Sequence, residues 1–162
     1  MSIETTDWEI LRSTNDKGGA ITATALPNAT MSNLIAPVSS FEATNGVTRY
    51  AAFFYKQSGS ADIATAVKLW IYQNTPNAKT AVRIALAPEG KNSEIEQIVS
   101  VTTEPAGVTW LTAADEANAV ALPDMAQNDY IGIWVEYAVQ PAATASLLDN
   151  EILRLKWDTP PS

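Results

Sequence analysis

The chain contains no cysteine and no histidine. The first absence removes disulfides, thiol nucleophiles and thiolate-ligated metals together, and leaves the redox compartment open. The second removes imidazole as a general base near neutral pH, the Ser-His-Asp arrangement and the commonest zinc ligand. Carboxylates, Lys, Tyr and hydroxyls remain as candidate reactive groups. Cations are scarce: ten Lys and Arg stand against eighteen Asp and Glu, a formal charge of −8 that repels nucleic-acid phosphates and anionic lipid surfaces. Neither nucleic acid nor a membrane is therefore expected as a partner. Long apolar runs are missing too. None approaches the ~18 residues of a membrane span, and the opening MSIETTDWEI has neither the basic nor the apolar region of an export signal. Gly18-Gly19 lacks the longer glycine pattern and the following Lys and Ser or Thr at a helix head that a phosphate-cradling loop requires, so the pair is expected simply to serve positive φ.

What the chain has is alternation. Val67, Leu69 and Ile71 point to one face and Lys68, Trp70 and Tyr72 to the other; further on, Val82, Ile84 and Leu86 oppose Ala81, Arg83 and Ala85. Between these runs Asn74-Thr75-Pro76-Asn77 supplies turn residues, with Pro76 fixing φ and lacking an N–H, so the two runs read as a hairpin. Further strands are predicted at Trp8 to Arg12, Val38 to Thr44, Val47 to Gln57, Glu94 to Thr103, Tyr130 to Gln140 and Glu151 to Trp157, with a shorter one at Val108 to Leu111. Val47 to Gln57 carries aromatic bulk on both faces, so both are expected to be covered. Asn45-Gly46 is the strongest short-range hairpin signal, and Thr112 to Asn118 allows one helical turn. Residues 20–37 are small and polar, interrupted by Pro27 and Pro37, and read as an extended arm or long loop; residues 158–162 read as a flexible tail. The sum is one all-β domain over residues 1–162, a two-sheet antiparallel β-sandwich of jelly-roll or immunoglobulin-like topology.

Carboxylates cluster at Asp115 and Glu116, at Asp124 and Asp129, and at Asp149 and Glu151. Sequence adjacency does not supply the cleft-spanning separation of a glycosidase pair or the extended spacing of a calcium loop, and the charges read as solvated loop residues. The aromatics carry more information. Tyr50, Phe54, Trp70, Tyr72, Tyr130 and Trp134 all fall on the even-numbered side of predicted strands, opposite the aliphatic core. Such a face is either an interaction surface for protein or sugar, or a face covered within the chain by a long loop or the 20–37 arm. In that arm Met31, Leu34 and Ile35 are the candidate anchors on a neighbouring protein, each contributing about 1.5–3 kcal/mol on burial, less the entropy of ordering the segment.

One set of motifs points further. It comprises Gly18-Gly19-Ala20-Ile21, Asn33-Leu34-Ile35 with Pro37-Val38, and Gly46-Val47-Thr48-Arg49-Tyr50 leading into an aromatic strand. Val67-Lys68-Leu69-Trp70-Ile71 with Asn74-Thr75-Pro76, Ile84-Ala85-Leu86 and Gly132-Ile133-Trp134-Val135 complete it. In this order and spacing, over about Gly18 to Val135, the chain resembles a group of virion structural proteins of tailed bacteriophages, found among head and tail assembly genes. It departs from that group where relatives often carry basic residues, having Ala51-Ala52 after Tyr50 and Glu136-Tyr137 after Val135, so its partner contacts are expected to differ. The resemblance implies a non-enzymatic component of the virion, assembled in the host cytoplasm. A capsid decoration or cement protein comes first, with a tail, neck or baseplate protein as the alternative. The implied partners are other virion proteins, either the major capsid protein or tail and baseplate proteins, and the implied state is a homo-oligomer or a particle-bound copy. It assigns no catalytic residue, no metal ligand and no cofactor. A reading of another class, a carbohydrate-binding sandwich with Trp70, Tyr72 or Trp134 stacked on sugar rings, rests on the aromatic face alone.

Overall fold

A computed structural model of the chain describes residues 3–26, 34–144 and 152–159. Among the described residues the strands are β1 (Trp8–Ser13), β2 (Ile21–Ala25), β3 (Val47–Gln57), β4 (Thr65–Gln73), β5 (Thr80–Leu86), β6 (Val120–Ala121), β7 (Tyr130–Val139) and β8 (Ile152–Asp158). They make two antiparallel sheets, one of five strands in the order β2-β1-β3-β7-β5 and one of three in the order β6-β4-β8. The central pair, β3 with β7, is in continuous register from Val47 opposite Val139 to Lys56 opposite Tyr130. Its inner face presents Ala51, Phe53 and Tyr55 beside Ile131, Ile133 and Val135. These residues, with Val82 and Ile84 of β5, meet Val67, Leu69 and Ile71 of β4 across the core. Leu153, Leu155 and Trp157 of β8 pack on the same core from its open side, and Trp157 lies 5.4 Å from Trp8, ring to ring. The all-β, two-sheet expectation holds, as does the core face assigned to β4 and β5.

The pairing of those two strands does not. β4 and β5 lie in different sheets, so the connection between them is an arch over the core edge rather than a hairpin. Asn74 makes the crossing possible. Its side chain accepts from Val82 N at 3.1 Å and donates to Val82 O at 3.0 Å, standing in for a strand residue on the free edge of β5. A little further along, Leu111 exchanges both backbone bonds with Ile84 at 3.0 Å, which continues the closure of that edge.

Four further expectations are corrected. Residues 38–44 are not a strand: Ser40–Asn45 is a short helix, α1, begun by Ser39, whose hydroxyl accepts from Glu42 N while the Glu42 carboxylate accepts from Ser39 N at 2.8 Å. Gly46 closes this helix at φ 82, so the Asn-Gly pair is a helix cap and not a hairpin turn. Residues 94–103 are an irregular loop, not a strand: Ile95 makes an isolated bridge with Gly19, and Val101 O accepts from Tyr50 N of β3 at 2.7 Å. The 20–37 segment is not a free arm. Ile21–Ala25 is the edge strand beside β1, and Leu34 and Ile35 are buried in the main core. Pro27 and Met31 of that segment lie outside the described residues, as do Asp149, Glu151 and residues 160–162 of the tail.

Glu42 also holds Arg49, whose Nη2 lies 2.6 Å from its Oε1, and Arg49 reaches Ala36 O at 2.5 Å, which ties α1 to the segment before it. The Arg49 bond, followed by those from Ser39, lowers the Glu42 pKa from 4.5 to about 2. A depressed carboxylate contributes stability that is present above its unfolded pKa and is lost as pH falls through the folded value. The wild-type melting temperature is therefore expected to fall between pH 4.5 and 2 more steeply than that of Glu42→Gln, a difference that parallel melts across this range measure. Equal slopes would show that the helix start contributes nothing to acid sensitivity.

Candidate functional site

The outer face of the five-stranded sheet carries four of the six predicted aromatics, Tyr50 and Phe54 on β3 and Tyr130 and Trp134 on β7. None forms an open platform. Tyr50, Phe54 and Trp134 are buried in a second cluster with Ala52, Ala85, Ala87, Ile95 and Ile98, against which Tyr130 and Trp110 pack. The cover is the loop 88–111, which leaves β5 and crosses this face. It bonds Asn92 N to Tyr130 O at 2.8 Å and Ile98 N to Lys17 O at 3.0 Å, and returns to β5 at Leu111. Of the two alternatives for the aromatic face, cover by a long loop of the same chain is the one found, and both faces of β3 are accordingly occupied. Gly132 is required under this cover, since a Cβ there would stand 2.5 Å from Ile95 Cγ1. Gly18, at φ 97, is required beside it, because a Cβ would overlap the carbonyl of Glu96.

Toward one end of this face the packing turns polar. Arg83 and Glu136, opposite one another on β5 and β7, form a bidentate pair with both bonds at 2.6 Å, and Glu136 is buried. The pair raises the pKa of the Arg83 guanidinium above its ordinary value, and that group also lies 5.8 Å from the centre of the Trp110 ring. Trp110 stacks at 5.6 Å on Tyr50 and donates its indole N–H to Glu104 at 2.9 Å. Burial, then the nearby Glu104 and Glu136, push the Tyr50 phenol pKa upward. This arrangement pins the loop to the sheet.

The other two aromatics sit elsewhere. Trp70 and Tyr72 are on β4, on the outer face of the three-stranded sheet, where Tyr72 is exposed and Trp70 half-buried. Trp70 is opposite Arg154 of β8, and the Arg154 guanidinium lies 3.2 Å above the centre of the Tyr72 ring. Lys68 and Lys156 face each other one step along, with Glu116 3.8 Å from the first and 2.6 Å from the second. Lys68, Arg154 and Lys156 meet on one face because β4 pairs with β8, a contact between distant parts of the chain that sequence patterning does not announce.

Two of the carboxylate groupings contribute structural residues, Asp115 and Asp129. Asp115 caps the short 3-10 turn Glu116–Asn118, accepting from Asn118 N at 2.9 Å, which places the helical turn expected there. Asp129 accepts from Lys91 at 2.7 Å, Asn92 at 2.6 Å and Ala126 N at 2.8 Å, bonds that outweigh desolvation and lower its pKa. Among the described residues no three acidic side chains gather as a metal site. An open groove of about 500 Å³ runs along β1 and β2 between Leu11, Ile21, Thr22 and Tyr130, with Glu9 and Lys56 paired at 3.8 Å in its wall. Compared with protein-family models, curated proteins and solved structures, the chain matches none.

Proposed function

We propose that the chain is a non-enzymatic structural component of a tailed-phage particle, in the first place a capsid decoration or cement protein, with tail, neck or baseplate placement as the alternative. The observation that supports this reading is where the residues of the resemblance fall in the fold. Gly18 and Gly19 take positive φ where the backbone of the covering loop approaches, and Leu34 and Ile35 fill the core. Gly46 ends α1, Gly132 makes room for Ile95, and Trp134 fills the second cluster. The motifs thus mark positions on which this architecture depends, so they work as the signature of one fold. A small sandwich of this kind offers charged faces and a strand edge at β2 to neighbouring subunits, and such contacts need no chemistry.

The carbohydrate reading has less support. Trp134 is under the loop, and Tyr72 has a ring face occupied by Arg154, which leaves half-buried Trp70 as the remaining platform. Mass spectrometry of purified particles, followed by a reconstruction at a resolution that traces strands, tests the proposal. The chain is expected in the mature particle as an ordered sandwich at a repeated site; its absence from mature particles would overturn the reading.

A further inference from the structure

The two broad outer faces of the sandwich carry opposite charge. On the three-stranded sheet Lys68, Arg154 and Lys156 stand among Trp70, Tyr72 and Ile152, and the two carboxylates near them, Glu116 and Asp158, offset the three cations only in part. Among the described residues Arg154 has no carboxylate at ion-pair distance. Its contact is the Tyr72 ring, and stacking by the guanidinium face leaves the in-plane N–H edge for an acceptor. On the far side of the molecule, the loop that covers the five-stranded sheet holds Glu89, Glu94, Glu96 and Glu104 against one cation, Lys91, which is itself bound to Asp129. Each face also exposes large apolar side chains. Tyr72 is 52% and Ile152 42% exposed on the first, and Val99 is 85% and Val101 41% exposed on the loop. In a chain of net charge −8, a cationic face with apolar side chains has an acidic, equally apolar counterpart on the same molecule.

We propose that these faces bind each other between copies. The three-stranded face of one molecule docks on the 88–110 loop of the next, with Arg154 and Lys156 against the loop carboxylates and Tyr72 and Ile152 against Val99 and Val101. A second copy is the occupant because this chain itself supplies the complementary charge and the complementary apolar area. The contact joins two different surfaces, so it does not close as a two-fold dimer; it continues head to tail into a ring or a row. It rests on the distribution of charge over the two faces and is independent of the particle reading.

Sedimentation of the full chain tests it. At about 0.01 M salt, where charges are screened only beyond about 30 Å, the mass is expected to rise with protein concentration. At about 1 M salt, with screening at about 3 Å, it is expected to return toward the monomer. Two variants, Tyr72→Ser with Arg154→Gln, and Glu94→Gln with Glu96→Gln, each lose one face and are expected to associate at least ~10-fold more weakly alone. Mixed together, they retain one intact face each and are expected to form a 1:1 pair that grows no further. That mixture also shows that both variants are folded, and thermal melts check it separately. A wild-type chain that stays monomeric at low salt would overturn the proposal. So would a variant that associates like the wild type, or a mixture that forms no pair.

Discussion

Trp134→Ala is expected to destabilise the isolated chain by about 3–5 kcal/mol, the range for deleting a fully buried aromatic side chain. Trp134 is 1% exposed and stands on β7 between Ala52 of β3 and Ala85 of β5. The large ring fits because both flanking positions are small. The same fit prevents repair, since both alanines lie on strands held to β7 by continuous ladders and Ile95 and Ile98 are tied down by the backbone bonds of the loop. A cavity left there stays open, and cavity cost adds to lost transfer energy. Urea unfolding of the chain alone decides the point. Were Trp134 an anchor for a partner, truncation would leave the isolated chain within about 0.5 kcal/mol of wild type, as surface substitutions usually do.

Leu34→Ala combined with Ile35→Ala is expected to have a comparable effect, each substitution costing about 2–5 kcal/mol, with the pair less than additive because the residues are neighbours. Both side chains are buried in the main core, in one cluster with Ile3, Phe53 and Leu69. They bring the segment before α1 into the space between the sheets, and Arg49 fastens the backbone that follows by bonding Ala36 O. An arm laid on a neighbouring protein predicts the opposite: unchanged unfolding of the isolated chain, with the loss appearing only in assembly. Denaturant melts with unchanged slope and a lowered midpoint would assign the two residues to the core, whereas an unchanged midpoint would return them to the arm.

The strands with strict period-two patterns were legible to within a residue or two. β3 begins and ends where alternating aromatics predict, and β7 where Ile131, Ile133 and Val135 predict. Their partners were less legible. Alternation reports which side of a strand is apolar, but not whether the next strand lies beside it or across the core, and β4 and β5 show the difference. The turn residues after Tyr72 serve an arch as well as they serve a hairpin. At residues 39–46 a signal was present and outweighed: Ser39 and Glu42 have the spacing of a capping box, while Asn45-Gly46 has the chemistry of a hairpin turn, and Gly46 suits either role because both need positive φ. The segment at 20–25 is rich in Ala and Thr and lacks an apolar stripe, because an edge strand with an exposed side does not require one. For the aromatic face the sequence left two readings open, an interaction surface or cover within the chain; the four residues on β3 and β7 are covered, while Trp70 and Tyr72 lie on the other sheet. The cover, the 88–111 loop, has no periodicity to announce it, and Ile95, Ile98, Val108 and Trp110 turn from it toward the sheet.

The order of strands in the sheets also governs when the structure can form. Thr65 and Asp158, which bond across β4 and β8, are separated by 93 residues, and Trp157 donates to Ile3 O across 154 residues. Each such closure spends chain entropy before any burial repays it, so folding rates fall as contacts become less local. During synthesis β3 waits for β7, and the edge of β4 that pairs with β8 stays open until β8 emerges. A nascent chain halted after Val139 would hold a complete five-stranded sheet with one side of its core uncovered by β8. Ribosome-tethered chains of increasing length should therefore gain protease resistance late and in one step, as the segment ending at Asp158 clears the exit tunnel.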